Sequence, residues 1–327
     1  MRKQLCQFFN LVKPFNLVMY RDKDWKNVNK KIAAYEKIFE IYTMKGHSQP
    51  VTYSCIVFSK DRALQLHSLL CSLREKISTP VKLFILYATS SGRHADAYNQ
   101  VLSIHQKDIA VTIHEISFRD QLIELLGNID TDRLFFLVDD IVILREISFG
   151  MISGLSTISF VPSLRMAPHL DYCYTFAQKQ SVPKEIENII SSNEFFCWRW
   201  KDGVFDWRYP LSLDGNIFDT GEIKSIIESC SFKAPNSLES ALQEYLPIFL
   251  PRYGICWKKS RIINIPLNKV QEENNNVCGG CHQDELLKYW ENGFEIDYER
   301  FFDIVNRSTH QEVDIYYKKR LPSFVND

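Results

Sequence analysis

Long apolar stretches are missing from this chain. No run of about 18 apolar residues occurs, so no segment reads as a membrane-spanning helix. The N-terminus carries Arg2 and Lys3, then a short apolar stretch broken by Gln7, Asn10, Lys13 and Pro14. It has no proper hydrophobic region and no small-residue cleavage site, so it is not read as a secretory signal. An excess of one charge is missing too. Lys and Arg number 39, Asp and Glu 40, for a net charge of -1. No basic field argues for nucleic acid, and no nucleic-acid partner is expected. The nine cysteines are odd in number and irregular in spacing. They give no disulfide framework and are expected to be reduced thiols in a cytoplasmic protein. Internal repeats and low-complexity tracts are also lacking; Glu272 to Asn276 comes nearest and reads as an exposed loop.

What is present is an ordinary globular composition, 45% hydrophobic and 24% charged, with aromatics at 13%. The 327 residues suffice for one large α/β domain with additions, or for two small domains. Residues 1–50 form a preface. Its first twenty residues mix Leu5, Phe8, Phe9, Leu11, Val12, Phe15, Leu17 and Val18 with basic and polar residues. A helix is expected over 24–44, with Ile32, Tyr35, Ile38, Phe39 and Tyr42 near helical spacing. The preface either packs onto the main domain or serves residues 1–20 as a peripheral contact with an anionic membrane surface.

From residue 51 strands and helices alternate. Strands are expected at 53–58, 81–87, 110–116 and 133–138, helices at 63–73 and about 119–127. That βαβ alternation predicts an α/β fold, Rossmann-like, with a mostly parallel central sheet flanked by helices. Ligands of such sheets sit beyond the carboxyl ends of the strands. The loop Ser59-Lys60-Asp61-Arg62, the segment 88–99 and the pair Asp139-Asp140 all fall there. Further on, a strand is expected at 158–166, and short helices at 220–230, with Thr220 as N-cap, and at 237–245.

The strongest local signal is Leu134-Phe135-Phe136-Leu137-Val138-Asp139-Asp140. An apolar strand delivers two adjacent carboxylates to its carboxyl end, where they repel unless a positive group joins them. A hard divalent cation, Mn2+ or Mg2+, prefers such oxygen ligands and would bridge them to a diphosphate.

Several stretches together resemble nucleotide-sugar glycosyltransferases of the GT-A fold, in particular family-two-like bacterial enzymes of surface-glycan synthesis. Ile56 to Arg62, followed by Gln65-Leu66 and Leu69-Leu70, resembles the strand, loop and helix that hold the nucleotide. Phe136 to Asp140 resembles the Asp-x-Asp metal motif, with Val138 at its first position. Ser212 to Phe218 and Pro235 to Glu239 resemble the acceptor half, with Leu238-Glu239 where the family carries Glu-Asp. The resemblance covers about residues 51–250. It implies a nucleotide-sugar-binding half at 51–145 and an acceptor-binding half at 146–250; beyond them a C-terminal helical extension is expected at 251–327. It implies transfer of a sugar from a nucleotide-diphosphate donor to a glycan or lipid-linked glycan, with inversion, in capsule, O-antigen or similar synthesis. Glu239 is then the general base, with Asp214 binding the acceptor or acting as base itself. Asp140 and Asp139 are the metal ligands, with His282 as a later one, and Ser59, Arg62, Asp139 and Arg165 contact the nucleotide.

The chemistry asks for the same groups without the analogy. A departing nucleotide diphosphate needs positive charge, and an acceptor hydroxyl needs a base. Arg62 suits phosphate, since a guanidinium binds it through two hydrogen bonds, and Arg165, at the end of a strand near the same edge, suits either phosphate or a pairing with Asp139. Trp198, Trp200 and Trp207 suit either a sugar-stacking wall or the core. Cys278-Gly279-Gly280-Cys281-His282 has the spacing of haem attachment and begins a zinc-ligand set, but haem attachment needs export and zinc needs further ligands. A nucleotidyltransferase is the first rival, though Ser59 to Arg62 lacks the glycine of its phosphate loop. A non-catalytic nucleotide-sugar-binding or scaffold protein is the second.

Overall fold

The structure, a computed structural model, describes residues 22–44, 50–187, 192–267 and 283–320. Helix α1 (Asp22–Met44) comes first. The alternation follows as β1 (Tyr53–Lys60), α2 (Ala63–Lys76), β2 (Val81–Ala88), α3 (Gly92–Ile104), β3 (Ile109–His114), α4 (Phe118–Gly127) and β4 (Arg133–Val138). The later chain supplies β5 (Ile141–Ile143), β6 (Phe160–Pro162), β7 (Phe195–Arg199), β8 (Ile217–Asp219), α5 (Thr220–Ser229) and α6 (Pro235–Leu242). Strands β9 (Tyr253–Trp257) and β10 (Ile262–Asn264), helix α7 (Gln283–Glu291), and strands β11 (Phe294–Ile296) and β12 (Tyr317–Lys319) complete it.

The expected α/β architecture is present. The central sheet runs β8-β4-β1-β2-β3; its first four strands in sequence are parallel, and β8 joins β4 antiparallel. β1 is buried along all but its last residue, as a strand covered on both faces must be. Alternate side chains feed two cores. Cys55, Val57, Phe135 and Leu137 pack with Leu66 and Leu69 of α2, Tyr98 of α3 and Trp290 of α7. Ile56, Phe58, Leu134 and Phe136 pack with Phe118 of α4, Ile223 of α5, Leu238 of α6 and Ile38 of α1. Each large apolar side chain buried this way contributes about 1.5–3 kcal/mol before chain entropy is subtracted.

A second sheet, β6-β9-β7, lies beside the first. Gly254 on β9 faces Trp198 on β7, and a Cβ there would lie 2.3 Å from the indole. Trp198, Trp200 and Trp207 are fully buried and pack edge to face, so all three belong to the core and none forms a sugar-stacking wall. The strand expected over 158–166 is confined to β6. After Pro162 the chain crosses to the main sheet, where Ser163 bridges Asn216 and Leu164 N donates to Gly215 O at 3.0 Å. The N-cap of α5 is Asp219 rather than Thr220: its carboxylate accepts from Glu222 N at 3.1 Å.

Helix α1 packs on α5 through a buried ionic knot. Arg252 makes two hydrogen bonds to Glu222, at 2.6 and 2.9 Å, and a third to Thr157 O at 2.9 Å. Tyr42 of α1 donates to Glu222 and accepts from Arg252. No described helix is long and apolar enough to cross a membrane. Residues 1–20, read as a membrane contact, lie outside the described residues, as do His282 and the rest of Cys278 to His282.

Candidate active site

Strand register builds the first half of the site. β1 and β4 are aligned so that Phe58 lies opposite Val138, which sets Ser59 beside Asp139. Ser59 Oγ donates to Asp139 Oδ2 at 2.8 Å, and Lys60 N donates to the same oxygen at 3.1 Å. Arg62 Nη1 lies 2.9 Å from both Asp139 Oδ1 and Asp140 Oδ2. The positive group that the acid pair demands is therefore supplied in part by this guanidinium. Arg62 is positioned by its neighbour: Asp61 takes a left-handed φ of 54°, and its carboxylate accepts from Ser90 N at 2.7 Å. Tyr98 on α3 closes the ring, its hydroxyl accepting from Arg62 N at 3.1 Å and meeting Ser59 Oγ. The three loops expected at the carboxyl edge thus meet.

Both oxygens of Asp139 are occupied by these contacts. Asp140 differs: its Oδ1 is buried and has no hydrogen-bond partner. Burial pushes the Asp140 carboxyl up to about 6, against the pull of Arg62 and with help from the charges of Asp139 and Asp214. A buried carboxylate oxygen without a donor suits a hard cation, which commonly attaches through one or two carboxylates and takes its other ligands from water and phosphate.

The second half gathers on the turn before β8. Gly215 N donates to Phe136 O at 2.8 Å, which fixes Asp214 near the end of β4. Gly215 has φ +74°, and a Cβ there would meet Ile262 at 2.6 Å, so both conformation and space require glycine. Asp214 Oδ2 lies 3.1 Å from His310 Nε2 and 3.4 Å from Asn264 Nδ2. Burial acts to raise the Asp214 carboxyl, but the hydrogen bond and charge of His310 outweigh it and hold the carboxyl below its usual range. The same contact raises His310 against its own burial. Asn264 ends β10, whose pairing with β5 sets it opposite Ile141, the residue after Asp140.

Glu239 reaches the same turn from α6. Its Oε1 accepts from Leu213 N at 3.0 Å, and burial, reinforced by the charge of Asp214, raises its carboxyl above the usual range. Arg165 is buried and pairs with Asp206 at 3.4 Å, not with Asp139; its Nε and Nη2 have no hydrogen-bond partner. Ser59, Arg62, Asp139 and Asp140 therefore form one cluster, and Asp214, Glu239 and Arg165 adjoin it. A surface cleft of about 330 Å³ lies elsewhere, lined by Glu75, Lys76, Arg145 and Asp303 among others; Asp139, Asp140, Asp214 and Glu239 do not line it.

No protein-family model matches the sequence, and no curated protein matches it. Solved structures do align. S. aureus TarS 1–349 is 11% identical at a TM-score of 0.39, over 64% of this chain and 58% of that one. The same fragment in complex with UDP-GlcNAc gives 12% identity and 0.40, over 74% and 72%. An active-site mutant of LgtC gives 18% and 0.25, over 33% and 45%.

His310, Asn264 and Tyr98 were not legible as site residues. Asp214 and His310 are far apart in sequence, and nothing local marks the histidine. The Asp214–His310 contact makes a pH-dependent prediction. A raised His310 stabilises the fold fully below its ordinary 6.5, and that contribution fades as pH rises through its higher folded value. A depressed Asp214 stabilises above its ordinary 3.8, and that contribution is lost as pH falls through its lower folded value. His310→Asn is expected to cost about 1–2 kcal/mol near pH 5, the scale of one charged, partly buried hydrogen bond, and progressively less at alkaline pH. Urea unfolding at a series of pH values measures this; a cost independent of pH would contradict it.

Proposed function

We propose that this chain is a glycosyltransferase that moves a sugar from a nucleotide-diphosphate donor to an acceptor hydroxyl, with Mn2+ or Mg2+ bound at Asp140. The observation that carries the reading is the constellation at the carboxyl edge of the sheet. A guanidinium and an unpartnered carboxylate oxygen stand beside two further acids whose proton affinities are driven apart. Environments that separate two carboxyls in this way are how proteins assign acid–base roles.

Arg62 faces the donor's diphosphate, and Ser59 and the β1 loop hold the nucleotide. The cation, when bound, would neutralise charge on the departing diphosphate. Asp139 keeps Ser59, Lys60 and Arg62 in place, so the metal falls to Asp140. Glu239, with its raised proton affinity, takes the acceptor proton, because a base works best when its pKa lies near the operating pH. Asp214, held ionised by His310, accepts hydrogen bonds from the acceptor and orients it. Arg165 offers its unpartnered N–H groups to an anionic or hydroxyl-rich part of the substrate. A single base acting on the acceptor corresponds to inversion. A glycan or lipid-linked glycan of the capsule or O-antigen kind is the proposed acceptor, and the cytoplasmic face of a membrane the place of work.

The test is a thermal-shift screen of nucleotide-diphosphate sugars with and without manganese. A preferred donor is expected to stabilise the chain only with the metal, by about 2.7 kcal/mol at a hundredfold excess over the dissociation constant. Asp140→Asn should abolish the metal-dependent part and keep the fold. Donor affinity unchanged by EDTA and by this substitution sinks the metal role. Donor binding without transfer to any acceptor favours a scaffold instead.

A further inference from the structure

On the opposite face of the sheet from α4 and α5, three buried side chains that the proposed chemistry does not use come together. His67 and Cys71 are one helical turn apart on α2, so both project from one face of it. His105 follows the last residue of α3. All three are buried, and one ligand atom from each falls in a single small cluster. Glu295, on β11, brings a carboxylate oxygen to 3.2 Å from His67 Nε2, at the edge of this cluster.

We propose that His67, Cys71, His105 and Glu295 form a closed, structural zinc site, separate from the candidate active site. Cys71 Sγ lies 3.6 Å from His67 Nε2 and 3.9 Å from His105 Nε2. Glu295 Oε2 lies 3.2 Å from His67 Nε2. Tetrahedral zinc, with bonds of about 2.0–2.3 Å, sets its donor atoms about 3.3–3.8 Å apart. A thiolate with imidazoles and one carboxylate is a zinc set; magnesium and manganese favour oxygen alone. His105 Nε2 meets His67 Nδ1 at 2.9 Å, a hydrogen bond that a bound zinc would replace, with the rings turning their lone pairs to the ion.

The surroundings fit the assignment. Asp108 comes within 3.6 Å of His105 Nδ1, on the side of the ring away from Cys71, close enough to take its N–H after a small side-chain shift. Zinc would bind Cys71 as the thiolate, so its binding would release a proton. Trp290 of α7 stands edge-on to His67 at 5.2 Å and closes one side against water. The ion would tie α2, the end of α3 and the β11–β12 pair together.

The experiment uses the full, tag-free chain, loaded with zinc, desalted and analysed for metal by mass spectrometry. One zinc per chain is expected. Cobalt in place of zinc should give a cobalt–thiolate charge-transfer band in the near ultraviolet. The double variant Cys278→Ser/Cys281→Ser should keep both metal and band, whereas Cys71→Ser should lose the band and His105→Ala the tight zinc. A wild-type chain with no retained zinc and no cobalt–thiolate band overturns the site, whatever the variants do. Loss of metal in the Cys278→Ser/Cys281→Ser variant, with retention in Cys71→Ser, overturns it equally, by moving the zinc to the other cysteines. Neither result touches the sugar-transfer reading, which does not depend on this site.

Discussion

Glu239→Gln is expected to lower sugar transfer about 10²–10⁴-fold while leaving the metal-dependent donor shift intact. That loss equals about 3–5 kcal/mol of barrier, the usual consequence of removing a general base. The amide keeps the size of the side chain, and its oxygen can still accept from Leu213 N, so the turn that carries Asp214 should hold. Asp214→Asn should act differently, raising the acceptor KM more than it lowers kcat, because that carboxylate is already committed to His310 and Asn264. The rate of the wild type should fall with acidity through the raised range of Glu239, and the Gln variant should lose this limb. Steady-state kinetics on both variants across pH separates the roles. If Asp214→Asn abolishes transfer and Glu239→Gln leaves it near normal, the two acids exchange functions.

The largest expected effect on stability lies away from the chemistry. Arg252→Leu should destabilise the fold by about 3–5 kcal/mol, because it leaves Glu222 fully buried with its charge unanswered. The paired change Glu222→Leu/Arg252→Leu should cost much less than the sum of the singles, since removing both charges avoids the desolvation debt of one. Denaturant midpoints for the four proteins of this cycle give the coupling. Tyr42 bonds to both partners, so α1 should also loosen in the single variant, seen as faster amide exchange over 27–44. Additive effects with α1 unchanged would mean that the knot is an ordinary ion pair.

The parts of the fold that were legible in the sequence are those written in local pattern. β1 and β4 read directly as strands because both faces are buried, which leaves them almost wholly apolar. The site edge followed from them, since residues after the ends of such strands have only one place to go. Asp139 and Asp140 were found this way. What was not legible depends on register and on distant pairing. That Arg62 would span both acids requires knowing that Phe58 lies opposite Val138. That the tryptophans are core rather than wall depends on β7 and β9 coming together around Gly254. His310 and Glu295 acquire meaning only when the C-terminal stretch folds back over α2 and the turn before β8.

The place of β8 in the sheet bears on how the chain is born. β4 is complete at Val138, yet its partner on one side, β8, ends at Asp219. During synthesis about 80 residues separate the two, which at 5–20 residues per second is roughly 4–16 seconds. Through that interval four parallel strands can assemble while one flank of β4, rich in Leu and Phe, has no neighbour to pair with. An unpaired apolar strand edge is a template for association between chains. Slower elongation between residues 138 and 219, or a shortage of chaperones that shield nascent strands, should therefore lower the soluble yield of this protein more than comparable delays after residue 219.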